Sequence, residues 1–145
     1  MLLEHLLPEP PGRVLSQNLR DLARAIAARV DVAPLSAPTG ERRWLRLDVT
    51  AEYDAWLIAW GAGSGLELHD HGGSSGALHV VRGSLVERAR DLGATTPFVT
   101  RRLRARETVV VPATREHEVS NPHPTAAVSV HVYAPPLTTL EGDPA

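Results

Sequence analysis

The residues of this chain with the most varied chemistry are its seven histidines, and two of them stand in the string Leu68-His69-Asp70-His71. In a β-strand, residues two apart project from the same face, so His69 and His71 would point together while Asp70 points away. Two imidazoles on one face make two ligands for a metal ion. A third, His117, follows Val109-Val110-Val111-Pro112 and a turn at Ala113-Thr114-Arg115 that would aim it. Three neutral imidazoles on one side of a metal leave other positions open for substrate. A bare His-x-His pair also arises by chance, and a lone histidine is most often a surface or hydrogen-bonded residue. The surrounding punctuation favours ligation: Gly63 precedes the pair and Gly83 closes the turn after Val81-Arg82, and glycine supplies the φ > 0 turns needed between barrel strands. His79, His123 and His5 are not expected to ligate.

Something must hold these side chains, and the chain changes texture on the way to them. Pro8-Glu9-Pro10-Pro11-Gly12 reads as an extended lead-in. Ser16 is placed as an N-cap, and Leu19, Leu22, Ala23, Ile26 and Val30 recur at helical spacing, which predicts one amphipathic helix within about residues 14–31. Such a helix would cover part of a sheet, and Pro34 and Pro38 end that section. Beyond Glu41 come short runs rich in Val, Leu, Trp and Tyr, broken by Gly, Pro, Asp and Asn. Strands are expected near 43–49, 53–60, 66–71, 77–81, 84–90, 99–103, 108–111, 117–120 and 127–133. A mainly β fold follows, a double-sheet jelly roll over about residues 41–136, with an irregular tail after Pro135-Pro136. Trp56 and Trp60, in an apolar run, are read as core.

Composition narrows the chemistry. At 145 residues, 43% apolar and 22% charged with a formal charge of -2, the chain has the profile of a single globular domain spanning 1–145. No basic block exists to neutralise a phosphate backbone, so no nucleic-acid partner is expected. The apolar runs, such as Ala55 to Trp60, are far short of the ~20 residues that span a bilayer. Met1 to Pro8 lacks the basic and apolar regions of a secretory signal, so the expected location is cytoplasmic. There is no cysteine, which removes disulfides, thiolate ligands and a cysteine nucleophile.

The same residues resemble a known fold family. Gly63…His69-Asp70-His71…Gly83 is similar to the first cupin motif, and Pro112…His117…Asn121 to the second, with Arg106 and Thr114 where that motif often has glycine. Where most cupins carry a ligating glutamate this chain has Gly76, which leaves three histidines. Trp60-Gly61…His69-Asp70-His71-Gly72, together with Ala127-Val128-Ser129-Val130-His131-Val132-Tyr133-Ala134-Pro135-Pro136, resembles the cysteine dioxygenase family over about residues 43–136. The resemblance implies a cupin barrel, an Fe(II) cofactor on His69, His71 and His117, conversion of cysteine and dioxygen to cysteine sulfinic acid, and a monomer. It places the family's Ser-x-His-x-Tyr series on Ser129, His131 and Tyr133. By ungapped spacing it puts the arginine that binds the substrate carboxylate on Arg43. Mammalian members have, at the Gly76 position, a cysteine cross-linked to the tyrosine, so Tyr133 is expected to work without a cross-link.

Alternation alone gives Ser129, His131 and Tyr133 one strand face and Val128, Val130 and Val132 the other. A polar face on a strand can also be a solvated outer face. Arg42 or Arg46 would replace Arg43 if a gap shifts the register, and any of the three could be a solvated edge arginine. Other readings of the whole chain are a dioxygenase of another thiol acid such as 3-mercaptopropionate, another cupin oxygenase or a zinc or manganese isomerase, and a non-catalytic metal-binding cupin.

Overall fold

In a computed structural model residues 16–137 are described; His5, the proline-rich lead-in and the tail from residue 138 lie outside them. Helix α1 (Ser16–Ala27) precedes nine strands. These are β1 (Arg42–Val49), β2 (Asp54–Trp60), β3 (Gly65–His69), β4 (Ser75–Arg82), β5 (Ser84–Asp91), β6 (Val99–Arg104), β7 (Thr108–Val111), β8 (Arg115–Ser120) and β9 (Ala127–Ala134). They form two antiparallel sheets, ordered β1-β2-β9-β4-β7 and β3-β8-β5-β6. This is the double-sheet jelly roll that many short, regularly spaced strands predict.

The inner strands β2 and β9 of the first sheet are buried on both sides, and the sequence shows why. Ala55, Leu57, Ala77, Val128, Val130 and Val132 face Leu19, Leu22, Ala23 and Ile26 of α1 in one apolar cluster. Burying each of the larger of these side chains is worth about 1.5–3 kcal/mol. The helix is shorter than its periodicity suggests, ending at Ala27 where the Arg29 amide donates to the Ile26 carbonyl in a tighter turn. On the other face, Ile58, Trp60, Leu78 and Val80 meet Leu85, Leu103 and Val119 of the second sheet. Trp60 is fully buried, as its place in an apolar run suggests. Among the described residues no helix is long and apolar enough to cross a membrane.

Two turns and one amide lock the ends of the barrel strands. Gly63 and Gly83 adopt φ of 77° and 76°, the left-handed conformation that their positions require. Asn121, fully buried, donates through its side-chain amide to the carbonyls of Trp60 at 3.1 Å and Thr125 at 2.8 Å. It thereby ties the end of β8 to the end of β2.

Arg106 takes the place of a glycine at a cost. In the hairpin between β6 and β7 it holds φ of 75° while its amide donates to the Val80 carbonyl at 2.8 Å. A left-handed non-glycine residue costs about 1–2 kcal/mol, partly offset in the comparison by the extra freedom of an unfolded glycine. Arg106→Gly is therefore expected to raise the unfolding free energy by about 0.5–1 kcal/mol, read from the urea midpoint; an unchanged or lower midpoint would show the turn to be unstrained.

Candidate metal centre and hydrogen-bond relay

The imidazoles of His69, His71 and His117 converge, with one nitrogen of each within 4.8 Å of the others. Register explains two of the three. His69 on β3 and His117 on β8 are direct cross-strand partners, and their ring centroids lie 4.7 Å apart. His71 arrives by a different route from the one alternation predicts. β3 ends at His69, so His71 stands beyond the strand in a turn through Gly72 and Gly73, whose φ values are 59° and 96°. Asp70 shapes that turn by accepting from the Gly72 amide at 2.8 Å. His71 then packs 4.9 Å from His69 and 5.0 Å from His117, centroid to centroid.

Hydrogen bonds decide which nitrogens face the centre. The Nδ1 of His69 donates to the Glu67 carbonyl at 2.7 Å, and the Nδ1 of His117 donates to Oε2 of Glu87 at 2.9 Å. In both rings Nε2 is left as the lone-pair donor, the arrangement that outer hydrogen bonds impose on metal-binding histidine. A set of three imidazoles without carboxylate or thiolate fits a divalent first-row metal. His79 is elsewhere: its Nδ1 contacts the Thr108 hydroxyl at 2.7 Å, and neither it nor His123 belongs to the cluster.

Across the barrel, β9 presents Ser129, His131 and Tyr133, at 0%, 1% and 2% exposure. This burial decides between an outward polar face and an inward one. The direction of the relay follows from its first member, a tryptophan that sequence alone assigns only to the core. Trp60 Nε1 is a donor and nothing else, and it donates to Ser129 Oγ at 2.8 Å. Ser129 in turn gives its hydroxyl hydrogen to His131 Nε2 at 2.7 Å. In the neutral ring Nδ1 then carries the proton and donates to the Tyr133 oxygen at 3.2 Å. The phenolic hydrogen of Tyr133 is thus directed onward, to an acceptor other than His131.

Electrostatics keep that polarity. Burial, reinforced by the Arg42 guanidinium among its smaller electrostatic neighbours, holds the His131 pKa well below the ordinary imidazole value. Tyr133 lies on the cluster itself, its ring centroid 4.8 Å from that of His71. It also lies over Gly76, where an added Cβ would come within 2.8 Å of the Tyr133 ring carbons Cδ1 and Cε1.

The arginine that ungapped counting selects, Arg43, does not share a sheet face with the inward Trp60. Arg43 pairs with Ala59, on the face of the sheet that carries Ala55 and Leu57, and is exposed. Arg42 pairs with Trp60, on the inward face. Its guanidinium carbon sits 5.4 Å from the Trp60 ring centroid and 5.6 Å from that of Trp44. A β-bulge between Arg46 and Asp48 shifts the register, and one extra residue in a strand reverses which face every later side chain occupies. Arg46 shares the Arg42 face but stacks on Trp56 at 5.0 Å.

Glu87 is not singled out by spacing at all. It is fully buried on β5 and divides its carboxylate between His117 and Arg101, whose Nε donates to Oε1 at 3.1 Å. Burial pushes its pKa up, but hydrogen bonds and charge from His117 and Arg101 outweigh burial and leave it below the ordinary value. The one signal in the sequence is an acidic residue at an inward position of an otherwise alternating strand, Leu85-Val86-Glu87-Arg88-Ala89.

Two antiparallel sheets enclosing three convergent imidazoles define a cupin barrel with a candidate metal site. The chain matches cysteine dioxygenase type I over residues 37–142, and it belongs to that family. No individual curated protein matches it in sequence. Among solved structures it is similar to TT1209 of Thermus thermophilus, with 20% identity and a TM-score of 0.62, covering 74% of this chain and 96% of that one. The cupin domain of Schizosaccharomyces pombe Cnp3 is 14% identical, with a TM-score of 0.57 and coverage of 68% and 64%. A recombinant oxalate oxidase in complex with glycolate is 24% identical, with a TM-score of 0.58 and coverage of 68% of this chain and 52% of that one. At such identities the shared feature is the fold.

The contact between Gly76 and Tyr133 generates a test that needs no substrate. Gly76→Ala is expected to lower the unfolding free energy by about 1–3 kcal/mol through overpacking. Most of that loss should disappear when Tyr133→Ala is already present, as a double-mutant cycle in urea would show. Additive losses would mean that the tyrosine does not occupy the space above the glycine.

Proposed function

We propose that this chain is an Fe(II) thiol dioxygenase that converts a small carboxylate-bearing thiol to its sulfinic acid, with L-cysteine the first substrate and 3-mercaptopropionate the nearest competitor. The observation that carries this reading is the relay from Trp60 to Tyr133 ending against the three-histidine cluster. A metal store or sensor has no use for a phenol whose hydrogen is kept off the neighbouring imidazole and left for the cluster side.

The reaction balances without an external reductant. In R–SH + O2 → R–SO2H the dioxygen bond breaks, two sulfur–oxygen bonds form, sulfur loses four electrons and dioxygen gains them. Ferrous iron bound by His69, His71 and His117 would supply the coordination positions where thiolate and dioxygen meet and the electrons that activate dioxygen. The chain's own groups do the rest. Arg42 faces the site and can form a two-pronged contact with the substrate carboxylate. Its stacking on Trp44 and Trp60 limits the side-chain freedom lost when a carboxylate binds. Tyr133 offers its hydroxyl hydrogen to the oxygen on which negative charge develops, and a donor fixed in advance is more effective than one that must turn. Ser129 and His131 hold that hydroxyl in place. Because His131 is neutral, it adds no charge to a site that has to accept an anionic thiolate.

The cytoplasm is the proposed location, and residues 1–145 are proposed to act as one domain and as a monomer. The test is anaerobic loading with Fe(II), followed by dioxygen consumption and sulfinate detection with cysteine, 3-mercaptopropionate and cysteamine. Thiol-dependent uptake with stoichiometric sulfinate is expected, and its absence with all three thiols would overturn the reading. Loss of a charge-assisted contact costs about 1.5–3 kcal/mol. Arg42→Ala should therefore lower kcat/KM for the two carboxylate-bearing thiols by about 10- to 100-fold, while Arg43→Ala should stay near the parent value. The reverse ranking would put the carboxylate on the other face of β1.

A further inference from the structure

One buried anion outside the relay lies directly against a ring of the histidine cluster. Glu87 lies on β5, in the second sheet, where Ala89 rather than Glu87 is the direct partner of His117. The small Ala89 side chain leaves room, and Glu87 reaches the imidazole from the diagonal position, a reach open to long side chains. Each carboxylate oxygen has its own partner, His117 Nδ1 on one and Arg101 Nε on the other. The two partners differ in exposure. The His117 side chain is 1% exposed and that of Arg101 is 46% exposed. Arg101, together with Glu87, Val99 and Arg115, lines a cavity of about 340 Å³. The positive charge is therefore screened by water while the negative charge is held in the interior beside the ligand ring.

We infer that Glu87 is a positioning residue for the metal centre, returning at one remove the carboxylate that the three-histidine set lacks. It keeps the His117 proton on Nδ1, so that Nε2 always presents its lone pair. Its charge makes that ring a stronger donor than a ring bonded to a carbonyl, as His69 is through Glu67. His117 is then a stronger ligand to the metal than His69. Arg101 holds the outer oxygen of Glu87 and so sets the angle of the inner one. This rests on the reading of His69, His71 and His117 as a metal site, not on which thiol is oxidised.

The test uses Co(II) and Zn(II) as probes on the full chain under anaerobic conditions. Glu87→Gln removes the charge and is expected to raise the Co(II) dissociation constant about 10- to 100-fold, the usual effect of losing such a partner. The Co(II) ligand-field absorption should shift with it. Arg101→Met removes the ion pair while leaving Glu87 on His117, and should weaken binding less than Glu87→Gln does. Equal losses in the two variants would reduce Glu87 to half of a structural ion pair and overturn the proposal, as would native affinity and spectrum in Glu87→Gln. Should Glu87→Gln not fold, the Zn(II)-loaded parent protein still decides. Its histidine nitrogen-15 spectrum is expected to show a slowly exchanging proton on Nδ1 of His117, and a proton there that exchanges as fast as on exposed rings would refute the role. If the parent protein bound neither metal, the metal-site reading itself would fail, an outcome distinct from intact binding that ignores Glu87.

Discussion

Everything in this site depends on a strand, β9, that is walled on both faces. A buried strand must send alternate side chains into two different interiors. In β9 the valines go to the helix-covered side and Ser129, His131 and Tyr133 go to the barrel. Polar groups so placed have no water to turn to, and leaving them unpaired would cost about 1–3 kcal/mol each. They satisfy one another in a line instead, from an indole that can only donate to a phenol whose hydrogen points away. The helix α1 thus contributes to chemistry it never touches, because without it the outer face of β9 would be exposed and the strand free to pair with less demand on its register.

The second sheet and the turn after β3 meet this relay with the three clustered histidines, the proposed metal ligands, and the two halves solve opposite electrostatic problems. Three neutral imidazoles leave the full charge of a divalent cation uncompensated, which suits an anionic thiolate and carboxylate. His131 is kept neutral chiefly by burial, so it orients a hydroxyl without adding charge beside the histidine cluster. Glu87 supplies a negative charge from behind, through His117 rather than at the metal. The close approach of Tyr133 to Gly76 shows the same economy of space: the residue that would have been a ligand is reduced to nothing so that a ring can lie there.

Much of the architecture was legible because strands and turns follow local rules. The bounds of β7 agree with those expected from the run Thr108 to Val111, and the other strands agree to within a residue or two. Gly63 and Gly83 announced their backbone conformation through their residue type, and Arg106 showed itself as the exception in a position that glycine would occupy more easily. The helix ended earlier than its apolar spacing, since Val30 can pack against the core without being helical.

The sequence by itself determined the identity of the three imidazoles, the Ser-x-His-x-Tyr face and the alternation that keeps each set together, because these are properties of neighbouring residues and of the period of a strand. Tertiary structure alone decided the rest. A bulge in β1 moved the inward arginine from Arg43 to Arg42, and no count along the chain could detect one residue looped out of register. A turn rather than a strand delivered His71. The contacts of Trp60 with Ser129 and of Glu87 with His117 span 69 and 30 residues, and such pairs exist only once two sheets have closed over a shared interior.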